Sequence, residues 1–254
     1  MKVWIINIGN EILIGKVVNT NATWLARNLT QMGFEVNRII CIPDDEKEII
    51  ETLRLASERA DIIITTGGLG PTFDDMTSEC IAKAFNLRWV INSEALREVE
   101  EKYRKMGMTL TEHRIKMAKM PEGSEALPNS VGTAPGIYLE RDGTIIIALP
   151  GVPDEMKAIF DGHVRPRLQD RFPIRKIVDE TYVLRGIPES GLAPIIEKVM
   201  KEVNGIYIKS HPKGHETKAP LIELHIIAYG DDEKEAQKKI EITINKIKEY
   251  TTKT

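Results

Sequence analysis

Two hydrophobic patterns alternate along the amino-terminal two thirds of the chain. Residues 3–8 and 61–65 are short, almost continuously apolar runs, which are typical of strands buried on both faces of a parallel sheet. Residues 34–42 predict another strand. After these runs, apolar residues recur every three or four positions, as at Leu25 and Leu29, and this spacing predicts amphipathic helices. The repeated strand–helix order predicts a three-layer α/β domain with a mainly parallel sheet.

The rest of this predicted domain carries helix and hairpin signals. Residues 77–86 and 152–168 place apolar residues at helical spacing. Residues 136–149 contain two β-rich runs around the turn residues Asp142 and Gly143. This arrangement predicts a β-hairpin.

The pattern resets near Pro173, which predicts a domain boundary there. The elements predicted beyond it are strands at 181–184, 205–209 and 221–228 and helices at 192–203 and from Asp231. The sequence therefore predicts a large domain over residues 1–172 and a small α/β module over residues 173–254.

Composition excludes several classes of protein. Of 254 residues, 42% are hydrophobic, which is enough for a packed core, and the net charge of −3 offers no broad basic surface to nucleic acid or acidic lipid. No apolar run approaches the roughly 20 residues that cross a bilayer, and the amino terminus reads as a strand instead of a signal peptide. We therefore expect a cytoplasmic protein without a membrane partner. Cys41 and Cys80 lack a CxxC spacing, so we expect two reduced structural thiols.

The stretch TTGGLGPTFDDMT at residues 65–77 carries the strongest chemical signal. Gly67, Gly68 and Gly70 follow a predicted buried strand and precede a predicted helix. The exposed N–H groups of such a loop can cradle a phosphate or pyrophosphate. The spacing matches neither a dinucleotide GxGxxG nor a Walker A motif, so GTPase and kinase chemistry are disfavoured. The alternative is that the glycines only form a tight turn.

Polar turns follow the other predicted strands, and parallel strands end at the same edge of a sheet. Asp44 follows the strand that ends near Ile42, so we expect it close to Asp74 and Asp75, where carboxylates can share a divalent cation such as Mg²⁺. The alternative is that these aspartates only cap helices. The other candidate ligand-binding positions in such turns are Gly9, Glu11, Thr72, Thr133, Gly136, Gly151 and Glu155. Their convergence on one edge predicts a ligand pocket.

Four segments together carry a family resemblance. In order and spacing, GNEILIGKVVNTNATWLARNL, TTGGLGPTFDDMT, MPEGSEALPNSVGTAPGIYLE and ALPGVPDEMKAIF resemble the amino-terminal domain of CinA-type competence/damage-inducible proteins. That domain has the MoaB/Mog molybdopterin-binding fold, which the resemblance implies here. Residues 175–250 resemble the KH-type module that follows it in CinA proteins. The chain stops before the deamidase domain that many CinA proteins carry, so NMN deamidation is expected to be absent.

The resemblance also implies a function and its residues. CinA-type amino-terminal domains are associated with metal-dependent hydrolysis of ADP-ribose, which implies a nucleotide pyrophosphatase that releases AMP and a sugar phosphate. The implied catalytic residues are Asp44 and Asp75, and the implied ligands of Mg²⁺ or a similar ion are Asp44, Asp74 and Asp75. MoaB/Mog relatives bind or adenylylate molybdopterin, so a molybdopterin- or nucleotide-binding protein without turnover is the alternative. Leu69 and Asp74 stand where Mog-like proteins carry Thr and Arg, which favours a metal over a pterin phosphate.

The carboxy-terminal module offers fewer chemical signals. It contains no GxxG loop and its charges are balanced, so nucleic acid is not expected as a partner. We expect this module to serve in packing or dimerisation, and we expect a homo-oligomer with a dimer favoured. His211 and His215 are expected in a solvated loop, because Lys and Gly separate them and no cysteine lies nearby.

Overall fold

The computed structural model describes residues 1–172, 176–213 and 220–252. The chain divides into two compact units, of which the first comprises Met1–Thr30 with Phe34–Phe172 and the second comprises Gln31–Gly33 with Pro173–Thr254. Each unit has its own cluster of buried apolar side chains. Within the described residues, no helix has both the length and the apolar character needed to cross a membrane.

The strands up to Phe172 are β1 (Lys2–Ile8), β2 (Glu35–Ile42), β3 (Ile62–Thr66), β4 (Trp89–Ile91), β5 (Lys119–Pro121), β6 (Glu125–Leu127), β7 (Gly136–Arg141) and β8 (Thr144–Leu149). The helices are α1 (Asn10–Leu13), α2 (Thr20–Gln31), α3 (Glu46–Ser57), α4 (Thr77–Ala84), α5 (Ser93–Lys105), α6 (Glu112–Lys116), α7 (Pro153–Ile159) and α8 (Arg165–Arg171). A π-helical segment, Phe160–Val164, joins α7 to α8. The helix predicted over residues 152–168 is therefore confirmed, with a local change of winding.

A six-stranded sheet in the order β2-β1-β3-β8-β7-β6 forms the centre of the first unit. β1 runs parallel to β2 and β3, and β3 runs parallel to β8. β7 is antiparallel to both β8 and β6. The mainly parallel sheet that the sequence predicts is confirmed, and its antiparallel edge comes from the hairpin and the short strand β6.

Helices cover both faces of this sheet. Trp4 and Ile6 of β1 point to one face and belong to a buried cluster with Ile49 of α3. Successive residues of a strand point to opposite faces, so Ile5, which is also fully buried, packs on the other side. The order of helix, sheet and helix confirms the predicted three-layer fold of the MoaB/Mog type.

β7 and β8 form the predicted hairpin. Asp142 and Gly143 lie between the two strands with positive φ angles of 50° and 83°. A two-residue turn with both residues in this region matches the right-handed twist of the flanking strands, and Asp-Gly is a preferred sequence for it. Arg141 pairs with Thr144 at the end of the ladder.

The second unit is a small α/β module. Its elements are β9 (Lys176–Arg185), α9 (Glu189–Glu202), β10 (Ile206–Pro212), β11 (Leu221–Gly230) and α10 (Glu233–Thr252). The strands form an antiparallel sheet in the order β10-β11-β9, and side chains of α9, α10 and β11 share one apolar cluster. The predicted order of elements is confirmed, whereas the KH-type relationship stays a prediction.

The structure confirms the prediction for the two cysteines and corrects the one for His211. Cys41 and Cys80 are free thiols, as predicted. Burial raises the pKa of the Cys80 thiol to about 12, which keeps it protonated and unreactive at neutral pH. His211 lies in strand β10 instead of the predicted loop, because its backbone pairs with Glu223 of β11. His215 lies outside the described residues.

Candidate functional site

The loops after four mutually parallel strands meet at one end of the central sheet. Gly9 follows β1, Asp44 follows β2, Gly67 follows β3 and Gly151 follows β8. β7 is antiparallel to β8 and therefore begins at this same end, which brings in the loop that contains Thr133. Carboxyl ends of parallel strands are the usual place for ligands in open α/β sheets.

The glycine loop after β3 packs tightly against its neighbours. Gly67 has a φ of 103°, and a Cβ there would lie 2.2 Å from the carbonyl oxygen of Ile8. Gly68 has a φ of 68°, and a Cβ there would lie 2.1 Å from Thr77 Oγ1. Thr77 Oγ1 also donates to the carbonyl oxygen of Gly67 at 2.8 Å, which ties the loop to the start of α4. A Cβ at Gly67 would therefore force the backbone to shift, and a Cβ at Gly68 would displace the Thr77 side chain, in each case at a positive φ that disfavours other residues.

Asp75 and Thr72 close the next turn of the loop. Asp75 Oδ2 accepts hydrogen bonds from Thr72 N at 2.8 Å and from Thr72 Oγ1 at 2.6 Å. Asp74 Oδ1 also contacts Thr72 Oγ1. The residue before α4 is Met76, which makes no side-chain cap. Neither aspartate caps α4, and Asp75 instead stabilises the turn at Thr72.

Asp44 and Asp45 have separate roles at the end of β2. Asp45 is the N-cap of α3, where its Oδ1 accepts from Glu48 N at 3.0 Å. Asp44 instead accepts from Asn10 N at 2.9 Å, which joins it to the start of α1. Asp45, and not Asp44, therefore caps α3. The Asp44 carboxylate lies at the carboxyl end of the sheet strands.

These loops enclose a cavity of about 370 Å³. The predicted positions that line it are Gly9, Glu11, Asp44, Gly67, Gly68, Gly70, Thr72, Asp74, Asp75, Thr133, Gly151 and Glu155. Gly136 is not in this set, because it begins β7, where an added Cβ would lie 3.0 Å from the carbonyl oxygen of Ala148. A larger depression of about 730 Å³ runs along α5 and contains none of the predicted positions.

The cavity is strongly acidic. Burial raises the pKa of Asp44 above its ordinary value, and the negative charges of Glu11, Asp74 and Asp75 raise it further, against the opposing hydrogen bond from Asn10. Among the described residues, no Lys, Arg or His side chain lines this cavity. A basic group lies behind the loop, where Lys116 Nζ donates to the carbonyl oxygen of Thr72 at 2.5 Å. The charged side chains that line the cavity therefore repel an anionic ligand.

The chemistry of these side chains suits a hard divalent cation, because Mg²⁺ takes oxygen ligands. Across the three described ranges, however, no group of three His, Cys, Asp or Glu side chains could hold a metal ion. Asp44, Asp74 and Asp75 thus do not form a complete cage by themselves. Mg²⁺ is commonly held by one or two carboxylates and completed by waters and substrate phosphates, and that partial donor set is what this cavity offers.

The sequence interpretation names Glu11 but misses helix α1, which carries it, and it misses Asn129. Helix α1 is only four residues long, too short to show a period, yet it places Glu11 at the cavity. Asn129 donates from Nδ2 to Glu155 Oε2 at 2.6 Å and is itself only 1% exposed. An asparagine two residues before a Val-Gly pair is a signal for a side-chain-stabilised turn, although it does not reveal the distant partner.

The fold and the cavity define a three-layer α/β domain with a ligand-sized cavity at the carboxyl ends of its parallel strands. Residues 4–170 match the family described as "Probable molybdopterin binding domain". The chain belongs to this family.

Similar proteins support the same assignment. A protein from Pyrobaculum arsenaticum is 52% identical over 92% of this chain and 88% of its own length. A protein from Pyrobaculum calidifontis is 49% identical over 97% of this chain and 94% of its own length. A solved structure of CinA from Thermoplasma acidophilum, described as having unknown function, is 42% identical and has a TM-score of 0.62 over 65% of this chain and 96% of its own.

Proposed function

We propose that the protein hydrolyses the pyrophosphate bond of a nucleoside diphosphate compound such as ADP-ribose, with the aid of a divalent cation. The observation that carries this proposal is a cavity lined by a glycine loop and several carboxylates. Among the described residues, those that line the cavity include no Lys, Arg or His. A pyrophosphate is repelled by such carboxylates unless a cation lies between them. Backbone N–H groups and a bridged cation together are a common way to bind a pyrophosphate.

Each group has a role in this reaction. Water attacks one phosphorus, and the bridging P–O bond breaks to give AMP and a sugar phosphate. Asp44 and Asp75, with Asp74 beside them, would hold the cation, which when bound offsets phosphate charge and acidifies the attacking water. Backbone N–H groups of Gly68, Leu69 and Gly70, and those around Gly151, would stabilise the charge that develops on the phosphate oxygens.

Asp44→Asn and Asp75→Asn test this proposal directly. Both variants keep a side-chain oxygen for the hydrogen bonds from Asn10 and Thr72, so the fold should persist. We expect each to lower kcat/KM for ADP-ribose at least a hundredfold, or about 2.7 kcal/mol, because the cation loses an anionic ligand. The measurement is phosphate release after added phosphatase, with a panel of divalent metals and with EDTA.

Asp45→Asn is the matched control. It changes the neighbouring carboxylate by the same chemistry, but Asn preserves the cap of α3. It should retain wild-type turnover. Full metal-dependent turnover by both Asp44→Asn and Asp75→Asn would sink the proposed site, and insensitivity to EDTA would sink the role of the cation.

The second candidate is binding of molybdopterin or a nucleotide without turnover, which the family match favours. Against it, Leu69 and Asp74 stand where the resemblance to Mog-like proteins leads one to expect Thr and Arg. The acidic side chain weakens attraction to a pterin phosphate. A fluorescent pterin that stays bound through purification, in protein that does not cleave ADP-ribose, would favour this second function.

A further inference from the structure

Asn129 makes four side-chain hydrogen bonds while almost fully buried. Its Nδ2 donates to the carbonyl oxygen of Ala134 at 2.8 Å and to Glu155 Oε2 at 2.6 Å. Its Oδ1 accepts from Val131 N at 3.1 Å and from Gly132 N at 2.8 Å. Two donors and both acceptor positions of the amide are thus used. One side chain therefore sets the shape of the loop before β7 and holds a carboxylate of the cavity.

The backbone of Asn129 is anchored from the other side by α5. Glu98 Oε1 accepts from Asn129 N at 2.7 Å, and Lys102 Nζ donates to the carbonyl oxygen of Asn129. Glu98 and Lys102 also pair with each other one helical turn apart, with side chains only 18% and 19% exposed. Pairs that are this well shielded from water hold their partners more firmly than exposed ones do. The position of Asn129 is therefore fixed by a helix that itself does not line the cavity.

Glu155 stands between this network and the cavity. It lies in the first turn of α7 and lines the cavity beside Thr133 and Gly151. A Cβ on Gly132 would lie 2.0 Å from Glu155 Oε2, so the loop backbone rests directly on the carboxylate. Among the described residues, no protein donor is hydrogen-bonded to the second oxygen, Oε1. Glu155 therefore lines the cavity with one carboxylate oxygen held by Asn129 and the other without a hydrogen bond from the described residues.

We propose that Glu155 recognises a ribose hydroxyl of the bound nucleotide and that Asn129 is the positioning residue that aims it. This inference rests on the proposed function, because the ligand class comes from there. Asn129 donates to Glu155 Oε2 and carries no charge, so the Glu155 carboxylate keeps its negative charge. Its Oε1 can then accept a hydrogen bond from a ligand. A nucleoside diphosphate sugar offers ribose hydroxyls and an adenine amino group as such donors, and the more numerous ribose hydroxyls lie closest to the phosphates that the glycine loop would hold.

The test uses full-length protein and an uncleavable methylene-bridged ADP-ribose, with affinity measured by titration calorimetry in the presence of Mg²⁺. Glu155→Ala removes the acceptor. Asn129→Asp keeps the oxygen that accepts from Val131 and Gly132 but replaces the donor to Glu155 by a repelling oxygen. We expect each to weaken binding about tenfold, the effect of one hydrogen bond to a charged group. Ser130→Ala, at an exposed neighbouring position, is the control and should bind as wild type.

The double variant distinguishes a positioning role from a structural one. If Asn129 acts through Glu155, then Asn129→Asp should have no further effect once Glu155 is alanine, and the double variant should bind within about twofold of Glu155→Ala. A double variant that is weaker by the product of the two single effects would mean that Asn129 only shapes the loop. Single variants that bind within twofold of wild type, at unchanged melting temperature, would also overturn the proposal.

Ligand analogues identify the donor. An analogue that lacks one ribose hydroxyl should bind the wild type about tenfold more weakly than the parent ligand does. Glu155→Ala should bind this analogue and the parent ligand with equal affinity. If only the inosine counterpart, which lacks the adenine amino group, bound the wild type more weakly, the ribose assignment would be overturned. Tight binding of the parent ligand without cleavage of ADP-ribose would overturn only the proposed hydrolase activity. The affinities of the variants would still decide the role of Glu155. Wild-type protein that binds no ADP-ribose analogue would overturn both.

Discussion

At Gly67 the cavity wall is backbone, and its shape depends on the lack of a side chain. The residue combines a φ of 103° with a distance of only 2.2 Å between the position that a Cβ would take and the carbonyl oxygen of Ile8. Gly123 also has a positive φ, 84°, but a Cβ there would meet no atom within 4 Å. The two glycines therefore separate the cost of an unusual backbone angle from the cost of a steric clash.

Gly67→Ala is expected to lower the free energy of unfolding by at least about 3 kcal/mol, because strain at positive φ adds to a clash with backbone that cannot move aside. Gly123→Ala should cost only about 1 kcal/mol, the strain of the left-handed conformation alone. Urea denaturation followed by circular dichroism measures both values. Equal costs for the two variants would show that the loop relaxes and that the close approach to Ile8 is not required.

At the scale of elements, periodicity predicts the long strands and helices, and local turn chemistry predicts the hairpin of β7 and β8. The pair β4 and β5 escapes prediction because each strand has only three residues, and residues far apart in the chain pair to form them. The caps show a second limit. Asp44 and Asp45 are equally good N-cap residue types, and only the fold decides that Asp45 caps α3 while Asp44 meets Asn10.

Asp45→Ala is expected to cost about 1 kcal/mol in the free energy of unfolding, because Glu48 N loses its hydrogen-bond partner at the start of α3. Asp45→Asn should cost much less. Both variants should keep the proposed turnover of ADP-ribose at temperatures below their melting points, since Asp45 is not among the residues that line the cavity. Thermal denaturation at fixed pH provides the comparison. A loss of turnover in Asp45→Asn without unfolding would place Asp45 in the site.

At the scale of the whole molecule, the ligand cavity follows from topology. Four parallel strands end on one side of the sheet, so polar turns that are far apart in the sequence converge, and this could be predicted from strand order alone. Asn129 could not be found this way, because it lies between β6 and β7 and acts through contacts with α5 and α7. Sequence spacing indicates which loops meet, whereas the hydrogen-bond partners within them depend on packing in three dimensions.

The division into two units predicts that residues 1–172 fold without the rest of the chain. The six-stranded sheet and the buried cluster of the first unit are formed within this range. The CinA structure from Thermoplasma acidophilum matches 65% of this chain over 96% of its own length, so its folded chain is about the size of the first unit. We expect a fragment of residues 1–172 to be soluble and to unfold in urea with a single sigmoidal transition, because one core is disrupted at once. Its denaturation curve should be compared with that of the full chain, and an insoluble fragment or a broad, non-cooperative transition would show that the first unit depends on residues beyond Phe172.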